Sequence, residues 1–211
     1  MSASTDHREL IRPPPINTTV AQLLRSNDVQ YCYCRRVSDI ATHMDLNIND
    51  KGFSEYWDRA GLFSVATKTI YLAEEGWDCG EPYRYTAEQK QHAYGHETGH
   101  AVDHCLGRPS LSDEFKDAWR SDIAKNWWSQ DVKEKIFGRL LEETTGPLEL
   151  WADFCGFAIS GDTGAVGTAY FPAALEVFNR QICGLELGPI KLTQYREVMF
   201  PGRGQPTSPR P

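Results

Sequence analysis

Five consecutive residues, His96-Glu97-Thr98-Gly99-His100, constrain this chain more than any others. Residues four apart on a helix stand one above the other, so an H-E-x-x-H run puts two imidazoles on one face, close enough to share a metal ion, with a carboxylate beside them. The helix that must carry them is legible on both sides. Thr86-Ala87-Glu88-Gln89 is a capping-box pattern, Gly107 stands where a left-handed C-cap belongs, and Pro109 cannot continue a helix. These signals predict a helix from Ala87 to Leu106 with both histidines in its interior.

A catalytic zinc takes three protein ligands and keeps one position for water. The third is sought downstream, where Gly146-Pro147 opens a mostly apolar stretch, Leu148 to Ser160, stopped by Gly161. Glu149 and Asp153 interrupt that stretch four residues apart, hence on one face. Glu149 suits the third ligand, and Asp153 suits an acceptor that fixes the ring of a ligand histidine, His96 first of all. An acid in a buried helix needs such a partner, since an unpaired buried carboxylate costs on the order of several kcal/mol or neutralises itself. Glu142 and Glu143 are rival third ligands, on a helix expected over Val132 to Thr144, and Asp103 is a second acid placed to hold a histidine ring. Glu97 is expected to touch water and not the ion, as a general base. One Zn2+ per chain is the expectation.

His96 to Asp103, read H-E-T-G-H-A-V-D, followed by Glu149-Leu150-Trp151-Ala152-Asp153-Phe154, resembles the lethal-factor-like and Pro-Pro endopeptidase zinc metallopeptidases, the family of the anthrax lethal factor catalytic domain. Thr67-Lys68-Thr69-Ile70-Tyr71-Leu72 is similar to the strand before that family's active-site helix, and Phe171 to Ile182 to its closing helix. The resemblance spans about Gly61 to Ile182. It implies a zincin-like fold, zinc on His96, His100 and Glu149, and Glu97 as the base that then hands its proton to the leaving amine. It also implies an endopeptidase with a protein or peptide substrate, working as an exported effector or toxin. The family's transition-state Tyr, expected several residues before the third ligand, has no counterpart between Glu142 and Leu148; Tyr170, Tyr94 and Tyr85 are the alternatives. A repressor-cleaving, regulatory peptidase is a second reading, against which the 49-residue step from His100 to Glu149 is long. A third is a zinc-holding interaction module without catalysis.

Composition narrows the partners. The 211 residues carry a net charge of −7, which argues against nucleic acid or an anionic membrane, because binding phosphates needs a basic face. No apolar run approaches the ~18 residues of a membrane span. Met1 to Leu10 lacks the apolar core of a signal peptide, so the expected workplace is a cytosol, either the maker's own or a target cell's after export without a cleaved signal. The six cysteines fit neither a zinc ribbon nor a disulfide scaffold, and Cys105 and Cys155 are expected to be small core residues.

The fold class is α+β: one domain over residues 16–200 between a loose arm, 1–15, with Pro13-Pro14-Pro15, and a Pro/Gly-rich tail, 201–211. A helix near Thr19 to Ser26 and a strand over Phe63 to Ala73 precede the metal helix; Ser112–Trp127, Pro147–Ser160 and Pro172–Cys183 make a mainly helical second half. Lys68 to Glu74 is a candidate edge for an extended peptide, and Trp119, Trp127 and Trp128 are expected in the core or at an interface.

Overall fold

The computed structural model describes Glu9–Leu10 and residues 16–41, 59–78, 81–125, 138–160 and 170–187. Trp127, Trp128, the start of the helix expected over Val132 to Thr144, the tail 201–211 and most of the arm lie outside the described residues. The architecture is α+β, with six α-helices and two small sheets among the described residues.

The main sheet has the order β1-β2-β4-β3, formed by Glu9–Leu10 (β1), Gln30–Cys34 (β2), Thr69–Ala73 (β4) and Gly61–Ser64 (β3). β2 and β4 run parallel, and the two outer strands run antiparallel to their neighbours. β1 lies inside the arm expected to be loose, where Glu9 pairs with Tyr33 and Leu10 with Cys32. β5 (Glu75–Asp78) and β6 (Glu81–Arg84) form a separate antiparallel pair.

Side chains of a strand alternate between faces, and β4 is buried on both. Ile70 and Leu72 join the main core with Tyr31 and Tyr94, while Tyr71 and Ala73 join Cys32, Cys34, Val37 and Ile40 on the other face. The single strand expected over Phe63 to Ala73 is therefore corrected to a hairpin, β3-turn-β4. Its turn holds no Gly or Pro; Thr67 N–H donates to Ser64 Oγ at 3.3 Å, and Lys68 takes the left-handed conformation at φ 50°. The candidate substrate edge is corrected with it. Thr69–Ala73 is an interior strand, and among the described residues the sheet edges are β1 and Gly61–Ser64, of which the latter borders α3.

The helices are α1 (Thr18–Ser26), α2 (Val37–Ala41), α3 (Ala87–Cys105), α4 (Asp113–Lys125), α5 (Gly146–Ser160) and α6 (Pro172–Gln181). α3 begins at the expected capping box, with Thr86 Oγ1 accepting from Gln89 N–H and Gln89 Oε1 from Thr86 N–H, and it ends at Gly107 with φ 80°. The part of the Val132 to Thr144 helix that is described is a 3-10 turn, Gly138–Leu141. The Trp119 indole N–H donates to the Leu140 carbonyl at 2.9 Å and fastens this turn to α4. α6 starts without a cap of its own, and Asp122 of α4 supplies one by accepting Ala174 N–H at 2.9 Å.

α3 lies between the sheet and α5, and two glycines set how close α5 comes. A Cβ on Gly99 would fall 2.7 Å from the Ala152 carbonyl oxygen and from Cys155 Cβ, and one on Gly156 would fall 3.2 Å from His96 N. Backbone therefore meets backbone at the crossing. Beyond it, fully buried Phe115, Trp151, Phe154 and Phe178 interlock edge to face, each burial stabilising the fold by about 1.5–3 kcal/mol. Trp119 and Cys155 sit in this core as expected, whereas Cys105 is only half-buried. No described helix is long and apolar enough to cross a membrane.

Candidate metal centre

The close crossing of α3 and α5 brings together residues that the sequence holds 49 positions apart. His96 and His100 face α5 with their Nε2 atoms 3.1 Å apart, and Glu149 stands over both, Oε2 at 3.3 Å from His96 Nε2 and Oε1 at 3.5 Å from His100 Nε2. The rings meet nearly edge to face, at 88°. His96 Nδ1 lies 2.8 Å from Asp153 Oδ1, and an ionised carboxylate only accepts, so Nδ1 carries the proton and Nε2 of the neutral ring presents a lone pair.

The three donors fit a cation. A divalent ion bound tetrahedrally at about 2.0–2.1 Å spaces its ligands about 3.3 Å apart, and the separations of 3.1, 3.3 and 3.5 Å bracket that value. Their electrostatics agree. Burial disfavours charge on His96, yet the hydrogen bonds it donates to Asp153 and Glu149 outweigh it and push the imidazole up to about 10. Burial likewise opposes ionisation of Glu149, but His100 and His96 hold its carboxyl far below the usual range, and His96 does the same for Asp153. A protein that collects acids around two imidazoles demands positive charge there. His96, His100 and Glu149 form a group able to hold a metal ion.

Glu97 stands apart from the three ligands but opens on the same cleft, a cavity of about 1190 Å³ lined also by His96, His100 and Glu149. Its Oε2 accepts Phe63 N–H at 2.7 Å. That amide belongs to the free edge: Ala73 N–H bonds to Ala60 C=O, so by alternation the polar groups of Gly61 and Phe63 turn away from β4. Gly61 is glycine for a visible reason, since a Cβ there would lie 2.7 Å from Glu97 Cγ.

Asp153 takes the part expected of it, holding the His96 ring. Asp103 does not, because its two oxygens accept from Ser110 N–H at 2.9 Å and Ser110 Oγ at 2.7 Å; it fastens the turn after α3 and reaches His100 through its charge alone. Neither rival ligand joins the group: Glu142 borders the cleft and accepts from the Thr145 hydroxyl, and Glu143 pairs with Arg120. Of the three tyrosines, Tyr94 is buried beside Tyr31, Tyr170 is not part of the cleft lining, and Tyr85 lines the cleft.

One participant escaped sequence reasoning. Arg139 reaches Glu149 Oε2 at 3.3 Å with Nη1 and Asp153 Oδ1 at 3.0 Å with Nη2, its side chain still half exposed to the cleft. No local sequence signal marks it, because both its partners lie on α5. Among known proteins, no family model, no curated protein and no solved structure matches the chain.

Proposed function

We propose that the chain is a zinc-dependent endopeptidase with a zincin-like catalytic arrangement. The observation that carries this reading is the ligand triangle of His96, His100 and Glu149 with Glu97 beside it and outside it, in one open cleft. Two nitrogens and one oxygen without a thiolate suit zinc in tetrahedral geometry. Side-chain exposures of 19% for His100 and 24% for Glu149 leave the centre accessible from the cleft, as catalysis requires and a closed structural site does not.

The chemistry zinc supplies when bound is to lower the pKa of water towards neutrality and to polarise a carbonyl. Glu97 takes a proton from the attacking water as the water oxygen bonds to the scissile carbon and the carbonyl electron pair moves onto its oxygen. Glu97 then returns that proton to the leaving nitrogen as the C–N bond breaks. Asp153 keeps His96 in the tautomer that ligation needs. The outward N–H and C=O of Gly61 and the C=O of Phe63 would offer an extended peptide a strand to pair with, alongside Glu97, which holds the Phe63 N–H. The resemblance to lethal-factor-like peptidases extends the proposal to an exported effector that cuts a protein of another cell.

The test is a search for new protein N-termini in cell lysate treated with zinc-loaded protein, with Glu97→Gln as control. Termini that appear with wild type and not with the variant are the expected result. None above the control would leave the fold with a metal site and no peptidase.

A further inference from the structure

Three arginines border the cleft, Arg59, Arg108 and Arg139, and Arg139 reaches both the ligand Glu149 and Asp153. Arg139 projects from the 3-10 turn Gly138–Leu141, and that turn is fixed in place by buried Leu140 and by the Trp119 indole bond to the Leu140 carbonyl. Its guanidinium bridges Glu149 and Asp153 on one side and borders the cleft on the other. We infer that Arg139 is the donor that meets the negative charge on the carbonyl oxygen when the peptide bond is attacked, the part for which the sequence offers no tyrosine in the expected place. This rests on the peptidase reading above.

Charge supports the assignment. Among the groups at the ligand cluster alone, Glu97, Glu149 and Asp153 bring three negative charges, and a divalent ion with Arg139 would bring three positive ones beside two neutral ligand imidazoles. Once Glu97 has accepted the proton, this cluster would carry one positive charge in excess as the carbonyl oxygen becomes negative. Without Arg139 the cluster would carry none. Geometry supports it too: Asp153 Oδ1 anchors Nη2 at 3.0 Å, while Nη1 meets Glu149 Oε2 at the longer 3.3 Å, a contact for which a divalent ion on Glu149 would compete, so that Nη1 would be the donor left to face the cleft. A guanidinium keeps its charge at any working pH and presents donors in a rigid fork, which suits an oxygen that gains charge.

The experiment compares wild type, Arg139→Ala and Arg139→Lys, each zinc-loaded, for metal content, for kcat and KM on the best-cleaved peptide, and for calorimetric affinity towards the phosphinic analogue of that peptide, whose tetrahedral anion mimics the attacked carbonyl. Arg139→Ala is expected to keep its zinc, to lose on the order of 10²- to 10³-fold in kcat with KM moved far less, and to bind the phosphinic peptide weaker by a similar factor. Added guanidinium ion is expected to restore part of the lost kcat, and Arg139→Lys to fall between. Unchanged kcat and phosphinate affinity would overturn the assignment, and so would zinc loss in step with activity, which would make Arg139 a brace for the ligands. If wild type itself cleaves nothing, the peptidase reading fails first and carries this inference down with it.

Discussion

Oδ1 of Asp153 lies 2.8 Å from Nδ1 of His96, the ring nitrogen that faces away from Glu149. The bond fixes the tautomer and aims the Nε2 lone pair, and partners of this kind typically govern metal affinity. Asp153→Asn is expected to weaken zinc binding about 10- to 100-fold while the chain stays folded. Competition with a chelating dye reads this directly, and an unchanged zinc affinity would reduce Asp153 to a counter-ion for Arg139.

The same geometry sets a proton inventory. In the metal-free protein His96 holds its proton up to about 10, above the ordinary 6.5, so at neutral pH a cation must displace it. Zinc binding is therefore expected to release about one proton, and apparent affinity to rise roughly tenfold per pH unit between about pH 7 and 8.5. Calorimetry in two buffers of different protonation enthalpy counts the proton. Release of none would place a bare, neutral imidazole in the metal-free site.

Gly99 is the residue of the motif whose role is steric. A Cβ there meets Ala152 and Cys155 at 2.7 Å, against backbone that has nowhere to go. Gly99→Ala is expected to cost about 1–3 kcal/mol by overpacking and, by pushing α5 outward, to lower zinc affinity as well. Thermal unfolding and chelator competition measured on one sample test the pair of effects; a full-affinity variant of normal stability would mean that the helices yield without moving Glu149.

Asp122→Ala separates stability from the site. It removes the acceptor that caps α6 from a distance, leaving a buried Ala174 N–H unpaired, and is expected to cost about 1–2 kcal/mol. Zinc content is expected to stay that of wild type. A loss of metal from this variant would show that α6 and the site are coupled.

What the sequence disclosed follows from how local each determinant is. α3 was legible from end to end because Thr86, Gln89 and Gly107 write its limits within a turn of where they act. Glu149 and Asp153 were legible because acids in an apolar helix need partners, and the two histidines were partners in waiting. The β3-β4 hairpin was not, since its turn is made by Ser64 and a left-handed Lys68 without the glycine or proline that normally marks one. Arg139 was hidden behind a helical reading of a segment whose 138–141 portion is a 3-10 turn, and its two partners lie on a separate element, α5. Asp103 misled because its spacing from His100 is right for a ring contact, while Ser110 reaches it first.

In the proposed centre His96, His100 and Glu149 hold zinc, and Glu97 works beside it without binding it. Metal analysis of purified wild type, Glu97→Gln, Glu149→Ala and the His96→Ala/His100→Ala double variant tests this most directly. About one zinc per chain is expected in wild type and in Glu97→Gln, a marked loss in Glu149→Ala and none bound in the double variant. Stoichiometric zinc in the double variant, or zinc lost from Glu97→Gln while Glu149→Ala keeps it, would contradict the account.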